Sequence, residues 1–344
     1  MKSKLILPGL LIFASLGTAQ EGTAVSGPVS GFVFDQNTGA LRPMLGMPGA
    51  AYLGEPLLAG VEAAGIAPDG TAALAVMEGR LYLASGLKTA EPVTAAVESA
   101  IEGADRFAWA PDGSSAAVYS SKSGRAQILR GLEKAPSAGE PFELSALPGA
   151  VSALAIAGDL VIAGVADAEA GGLYAARAGE TPRLLAKASQ PAAITVAGRD
   201  LYFADRERGQ VWQIGEFAGD ATPLLFAEGL EAPVGVQVSG KRLFVANAGN
   251  NTLEVFDLDA RASSGRIALD AAPATLEDFG GRSLWLLNSA AADGGPLYVL
   301  DGAADPAVYF VPAGGVETTA LRRGSPATRS RISGAEPRPG GRRD

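Results

Sequence analysis

The chain has 344 residues, with 28 Lys and Arg against 37 Asp and Glu, a net charge of −9, and neither a histidine nor a cysteine. Without imidazole or thiol, Ser-His-Asp and Cys-His nucleophilic catalysis, histidine-held haem or copper, and ordinary zinc sites are excluded. No disulfide supports the fold, so stability rests on the core of a chain that is 47% hydrophobic but only 6% aromatic, a composition for close packing of Ala, Val and Leu.

The first 19 residues combine Lys2 and Lys4, an apolar run from Leu5 to Leu16 interrupted by Pro8, and small residues at Gly17 and Ala19. This pattern reads as a secretory signal peptide, with a mature chain beginning at Gln20 in the periplasm or outside the cell. The run is too short to span a bilayer and no later segment approaches 18 apolar residues, so no membrane span is expected. Next come Gly31-Phe-Val-Phe-Asp35, a polar turn over Gln36 to Gly39, and Leu41 to Met44. That hairpin reads as the third and fourth strands of a sheet whose first two strands are missing.

From there a ladder of glycines, Gly70, Gly113, Gly158, Gly198, Gly240 and Gly281, recurs at spacings of 43, 45, 40, 42 and 41 residues. Each separates two short apolar runs with period-two alternation, the signature of antiparallel strands joined by a tight turn. A period of about 42 residues is what one four-stranded β-propeller blade consumes. The clearest blade runs through Val234–Val238, Arg242–Ala246, Leu253–Phe256 and a last strand near Arg266–Leu269. Third strands repeat an aromatic cue at Tyr82, Tyr174, Trp212 and Tyr298, and Trp109, Trp212 and Trp285 read as packing residues within strands. The fold class is therefore all-β, a propeller of four-stranded antiparallel blades: seven with the first incomplete, or six plus an added hairpin. Closure removes sheet edges, so the two ends of the ring are expected to meet.

The domain reading is a single propeller over 20–313, followed by a tail over 314–344. The tail is rich in Arg, Pro and Gly, and residues 321–344 hold seven arginines against Glu336 and Asp344. It has too little apolar surface to order itself and reads as disordered. Residues 20–320 carry 19 basic and 35 acidic residues, so the propeller would repel phosphate backbones and nucleic acid is not an expected partner. The tail is the segment that would contact an anionic surface.

The stretch Leu243-Phe-Val-Ala-Asn-Ala-Gly-Asn-Asn-Thr-Leu-Glu-Val-Phe-Asp257 resembles the repeat of the YVTN-type propellers, relatives in form of NHL and WD40-like repeats. Leu201–Asp205 with Gln210–Ile214 is a looser copy, and Pro68-Asp-Gly70 and Pro111-Asp-Gly113 are similar to a turn of WD40-like bacterial propellers. The resemblance implies the fold; propellers host lyases, lactonases, dehydrogenases and plain binding scaffolds alike.

Ligands of a propeller meet where the loops from second to third strands gather with the connections between blades. The second-strand exits carry Glu78, Tyr119, Asp167, Asp205, Asn247 and Asn288, with Arg206, Arg208, Asn250 and Asn251 just beyond. The candidate ligand-binding set is accordingly Asp205, Arg206, Arg208, Asn247, Asn250, Asn251 and Asn288. No catalytic residue is nominated. Two functions stay open: a non-enzymatic module binding a protein, peptide or glycan through this loop face without a cofactor, or a divalent-metal-dependent lactonase or hydrolase of the gluconolactonase type. The second would hold Ca or Mg with Asp, Asn and Glu oxygens.

Overall fold

In the computed structural model the described residues are 28–312, apart from 90, 220–221, 282 and 289–294. They form seven antiparallel sheets, each built from one contiguous stretch of chain: blades 1 to 7 over 29–59, 63–96, 106–143, 150–187, 191–227, 233–268 and 277–311. The inner strands pack side by side around an axis, which defines a seven-bladed β-propeller. No helix among the described residues is long and apolar enough to cross a membrane. The expectations for the N-terminal 27 residues and for 313–344 lie outside the described residues.

The glycine ladder marks the turns from first to second strand. Gly70, Gly113, Gly158, Gly198 and Gly240 have φ between 58° and 73°, where a Cβ is strained. In blade 7 the reversal falls after the ladder glycine: Gly281 still pairs with Leu284 and Ser283 takes a positive φ of 57°, while Gly280, φ 108°, sits at the register shift within the strand Glu277–Gly281. These turns and those from third to fourth strand form one face, the turn face. The loops from second to third strand and the connections between blades form the other, the loop face.

Blade 1 corrects the reading of the N-terminal hairpin. Its strands are β1 (Val29–Asp35), β2 (Ala40–Leu45), β3 (Tyr52–Leu53) and β4 (Leu58–Ala59), and β3 and β4 both pair with β2 as two pieces of one outer line. Val61 N–H donates to the Gly39 carbonyl at 2.8 Å, just as Leu144 donates to Gly124 and Leu230 to Gly209, each from one to three residues past a fourth strand to the end of a second-to-third loop. Thus β1 and β2 are second and third strands, and β3 with β4 is the fourth. No strand among the described residues lies inward of β1.

Instead of one large core, the molecule has an apolar seam between each pair of neighbouring blades. Phe203, Ile162 and Leu201 fill the seam of blades 4 and 5, and Phe244, Trp285 and Leu300 that of blades 6 and 7, all nearly or fully buried. Small residues such as Ala73, Ala84, Ala116 and Ala204 let the sheets approach closely. The ring closes through the seam of blades 7 and 1, where Val33, Met44 and Leu53 meet Phe279, Leu286 and Val299.

Polar bonds stitch the inner ring. The Trp109 indole donates to the Gly65 carbonyl at 3.0 Å (blade 3 to 2), Ser152 to Pro191 at 2.5 Å (4 to 5), Thr195 to the Gln237 amide oxygen at 3.1 Å (5 to 6) and Gln237 to Leu276 at 3.2 Å (6 to 7). Lys88 Nζ completes the circle by donating to Gly280 at 2.8 Å and Asp69 at 2.6 Å, tying blade 2 to blade 7 in front of the incomplete blade.

Candidate functional site

Asp205 ends the second strand of blade 5, Asp200–Asp205, and is fully buried. Its Oδ2 accepts Ser189 N–H at 2.9 Å, and its Oδ1 accepts Gln190 N–H at 3.1 Å and Arg208 N–H at 3.4 Å. Arg208 lies with Nε 3.7 Å from the carboxylate and donates to Ser189 Oγ at 3.0 Å. This carboxylate holds the connection from blade 4 against blade 5, and its oxygens are committed to that task. Arg206 anchors only its backbone, N–H to Gln190 at 2.9 Å, and its side chain is exposed.

Asn247 ends the second strand of blade 6, 1% exposed. Its Nδ2 donates to Thr252 Oγ1 at 3.3 Å, and that hydroxyl donates to Asn250 Oδ1 at 2.7 Å, which clips the loop shut. Asn247 Oδ1, buried, has no hydrogen-bond partner among the described residues. Asn251 adopts φ of 54°, a turn role that asparagine tolerates. Asn288 donates to the Pro296 carbonyl and accepts Tyr298 N–H, both at 2.8 Å. The structure therefore turns Asp205, Arg208, Asn247, Asn250 and Asn288 onto their own loops, leaving Arg206 and Asn251 at the surface. Among the described residues no group of three or more acidic side chains is placed to hold a metal ion.

Asp35 is a member of this set that sequence reasoning missed, because its hairpin was given the wrong rank in the blade. Its Oδ1 accepts Asn37 N–H at 3.1 Å and Arg42 Nη1 lies 3.2 Å from Oδ2. Burial pushes its pKa up, but the bonds from Thr38, Arg42 and Asn37 outweigh it and hold the carboxyl below the ordinary Asp value. Asp167 is held low too, by the N–H groups of Ala170 and Glu169.

Asp278, on the inner strand of blade 7, behaves oppositely. Burial, with the Glu277 charge adding to it, pushes its pKa up to about 6 although the Trp285 indole donates a hydrogen bond to it. Because this folded value exceeds the unfolded one, the carboxyl's contribution to stability is greatest below about pH 4 and is lost as pH rises through 6. Asp278→Asn is therefore expected to raise stability at pH 7.5 by up to about 3 kcal/mol and to leave it unchanged at pH 4. Chemical denaturation at both pH values measures this; an equal effect at both would remove the titration from the explanation.

The two faces differ in charge. Among described residues the connections on the loop face carry eleven acids against Lys122, Arg206 and Arg208, whereas those on the turn face carry nine acids and six bases. Three of the turn-face acids pair with bases, Arg177–Asp159 at 3.3 Å, Arg199–Glu216 at 2.8 Å and Lys241–Asp259 at 2.5 Å. On the loop face Glu98, Glu102, Glu228 and Glu231 are all exposed. An open depression of about 360 Å³ there is lined by Ser99, Glu102, Ser123 and Arg125 between blades 2 and 3.

The chain is thus a seven-bladed β-propeller with an acidic loop face. No protein-family model and no curated protein sequence matches it. Solved structures share the fold. A functionally unknown protein from Desulfotomaculum acetoxidans DSM 771 superimposes with a TM-score of 0.58 at 13% identity, over 82% of this chain and 98% of that one. Kuenenia stuttgartiensis hydrazine synthase gives 0.53 at 11% identity over 83% and 99%, and Kluyveromyces lactis Hsv2 gives 0.50 at 10% over 70% and 74%. At these identities the likeness is one of fold.

Proposed function

We propose that this chain is an exported, non-enzymatic binding module whose loop face docks a positively charged segment of a protein or peptide. The observation that carries the reading is the charge asymmetry: among the described residues the connections of the loop face carry eleven acids against three bases, those of the turn face nine against six. A field of one sign over an open surface attracts and orients a cationic partner. The signal-type N-terminus supports export, and the likeness of Leu243–Asp257 to YVTN-type repeats fits a scaffold blade. The hydrolase alternative needs free carboxylate and amide oxygens converging at the loop face; Asp205, Asn250 and Asn288 spend theirs on N–H and O–H groups of the chain itself.

The test is titration with a synthetic polyarginine peptide. Neutralising Glu98, Glu102, Glu228 and Glu231 together to Gln is expected to weaken binding by roughly 30-fold, at about 0.5 kcal/mol per exposed charge. Glu133→Gln with Glu180→Gln on the turn face is expected to change it less than about twofold. Equal losses from both faces would refute the assignment, and EDTA-sensitive turnover of a lactone panel would favour the hydrolase.

A further inference from the structure

We infer that the arginine-rich C-terminal segment, residues 321–344, is an intramolecular occupant of the loop face, so that the chain carries its own competitor for that surface. This inference rests on the loop-face reading above. Three independent features meet in it.

The first is where the described chain ends. The last strand of blade 7, Ala307–Val311, is a fourth strand, and fourth strands run toward the loop face, where every other blade passes its chain to the next. The chain therefore leaves the propeller at Pro312 on the acidic face. Reach is ample: 32 residues follow Pro312, and a coil of that length has a root-mean-square span of ~30 Å, beyond the ~19 Å radius of gyration of a domain this size.

The second is charge complementarity. Residues 321–344 hold seven arginines and two acids, the loop-face connections eleven acids and three bases, whereas the turn face offers only a small acidic excess. Guanidinium groups pair with carboxylates in bidentate fashion, which suits Arg to such a surface better than Lys.

The third is a missing donor at the same face. Asn247 occupies in blade 6 the place of Asp205 in blade 5, but where Asp205 accepts two N–H groups from the connection entering its blade, Asn247 Oδ1 is buried without a partner among the described residues. Its Nδ2 is turned to Thr252 Oγ1, which leaves the carbonyl branch as the unused half of the amide. In blade 6 that connection carries the exposed Glu228 and Glu231.

A tethered tail acts at an effective concentration in the millimolar range. If the free segment binds with a Kd of about 50 µM, tethering at about 1 mM would leave the face roughly 95% occupied and weaken an external cation about 20-fold. Displacement by a stronger cationic partner, or by salt, then opens the surface.

The experiment uses the full chain and a fluorescent peptide of residues 321–344. Anisotropy titrations compare the native chain with a full-length variant in which all seven tail arginines are Gln. The native chain is expected to bind the peptide about 20-fold more weakly, with the difference vanishing in 0.5 M salt. In the tail-neutralised variant, Gln at Glu98, Glu102, Glu228 and Glu231 should weaken binding roughly 30-fold, while Gln at Glu133 and Glu180 should change it less than about twofold. Equal, loop-face-dependent binding by both chains would overturn the intramolecular inference and leave the loop-face reading standing. Binding that ignores the loop-face substitutions would overturn both. Competition that grows with protein concentration, with dimers in sedimentation, would overturn self-occupancy by showing that the tail reaches a second copy.

Discussion

Truncation of Phe279 to alanine is expected to lower the free energy of unfolding by about 3–5 kcal/mol, the range for a fully buried Phe, out of a total of about 5–15. Phe279 is 0% exposed and fills the seam where blade 7 meets blade 1 and the two ends of the ring are joined. Its surroundings leave no slack. A Cβ on Gly31 would stand 2.1 Å from the Phe279 ring and 2.3 Å from its carbonyl oxygen, and one on Gly70 would stand 2.6 Å from Gly280 backbone. Gly31→Ala is therefore destabilising by itself. Adding Phe279→Ala relieves the ring contact but not the carbonyl contact, so rescue in the double variant should be partial. Denaturant melts of the two single variants and the double give the coupling; strict additivity would mean that the ring closes elsewhere.

Asp205→Ala is the second large effect, expected at about 3–4 kcal/mol. The substitution leaves the part-buried Ser189, Gln190 and Arg208 N–H groups without their acceptor and the half-exposed Arg208 guanidinium without its Asp205 partner, each orphaned N–H group costing about 1 kcal/mol, the low end for such groups because water re-enters. Asp205→Asn keeps one acceptor and should recover about half. The measurement separates two roles, because a residue kept for ligand contact would lose binding with little loss of stability. A melting temperature within a degree of the native chain would return Asp205 to the surface chemistry of the site.

Most of the fold is legible in the residues because its punctuation is local. A reversal between two extended strands needs a positive φ, which glycine supplies at no steric cost, and so Gly70 through Gly240 mark blades at sight. Blade 6 follows almost residue for residue, Val234–Val238 becoming Pro233–Ser239 and Arg242–Ala246 becoming Arg242–Asn247. Alternation reveals a strand but not its rank within a blade. Rank in blade 1 is fixed by the bond from Val61 to Gly39, between residues that nothing local connects, which is why Asp35 was not grouped with Asp205 and Asn247. The stitches are equally invisible in the sequence. Lys88 and Gly280 lie 192 residues apart, and Gln127, fully buried, accepts from Ile101 and donates to Ser99 and Gly139.

The candidate site divided along the same line. Asp and Asn at the second-strand exits were visible, but their orientation was not, since a side chain that builds a loop and one that presents itself to a ligand have the same residue type. The charge asymmetry became readable only once topology had sorted the connections by face.

Hydrogen exchange of the full-length chain carrying Gln at all seven tail arginines, with and without saturating polyarginine, tests the loop-face assignment most directly. Protection is expected over 97–105 and 228–232, the connections that carry Glu98, Glu102, Glu228 and Glu231, and none over 131–136 and 177–182 on the turn face. Protection confined to the turn face, or none on either, would contradict a binding surface at the loop end of the propeller.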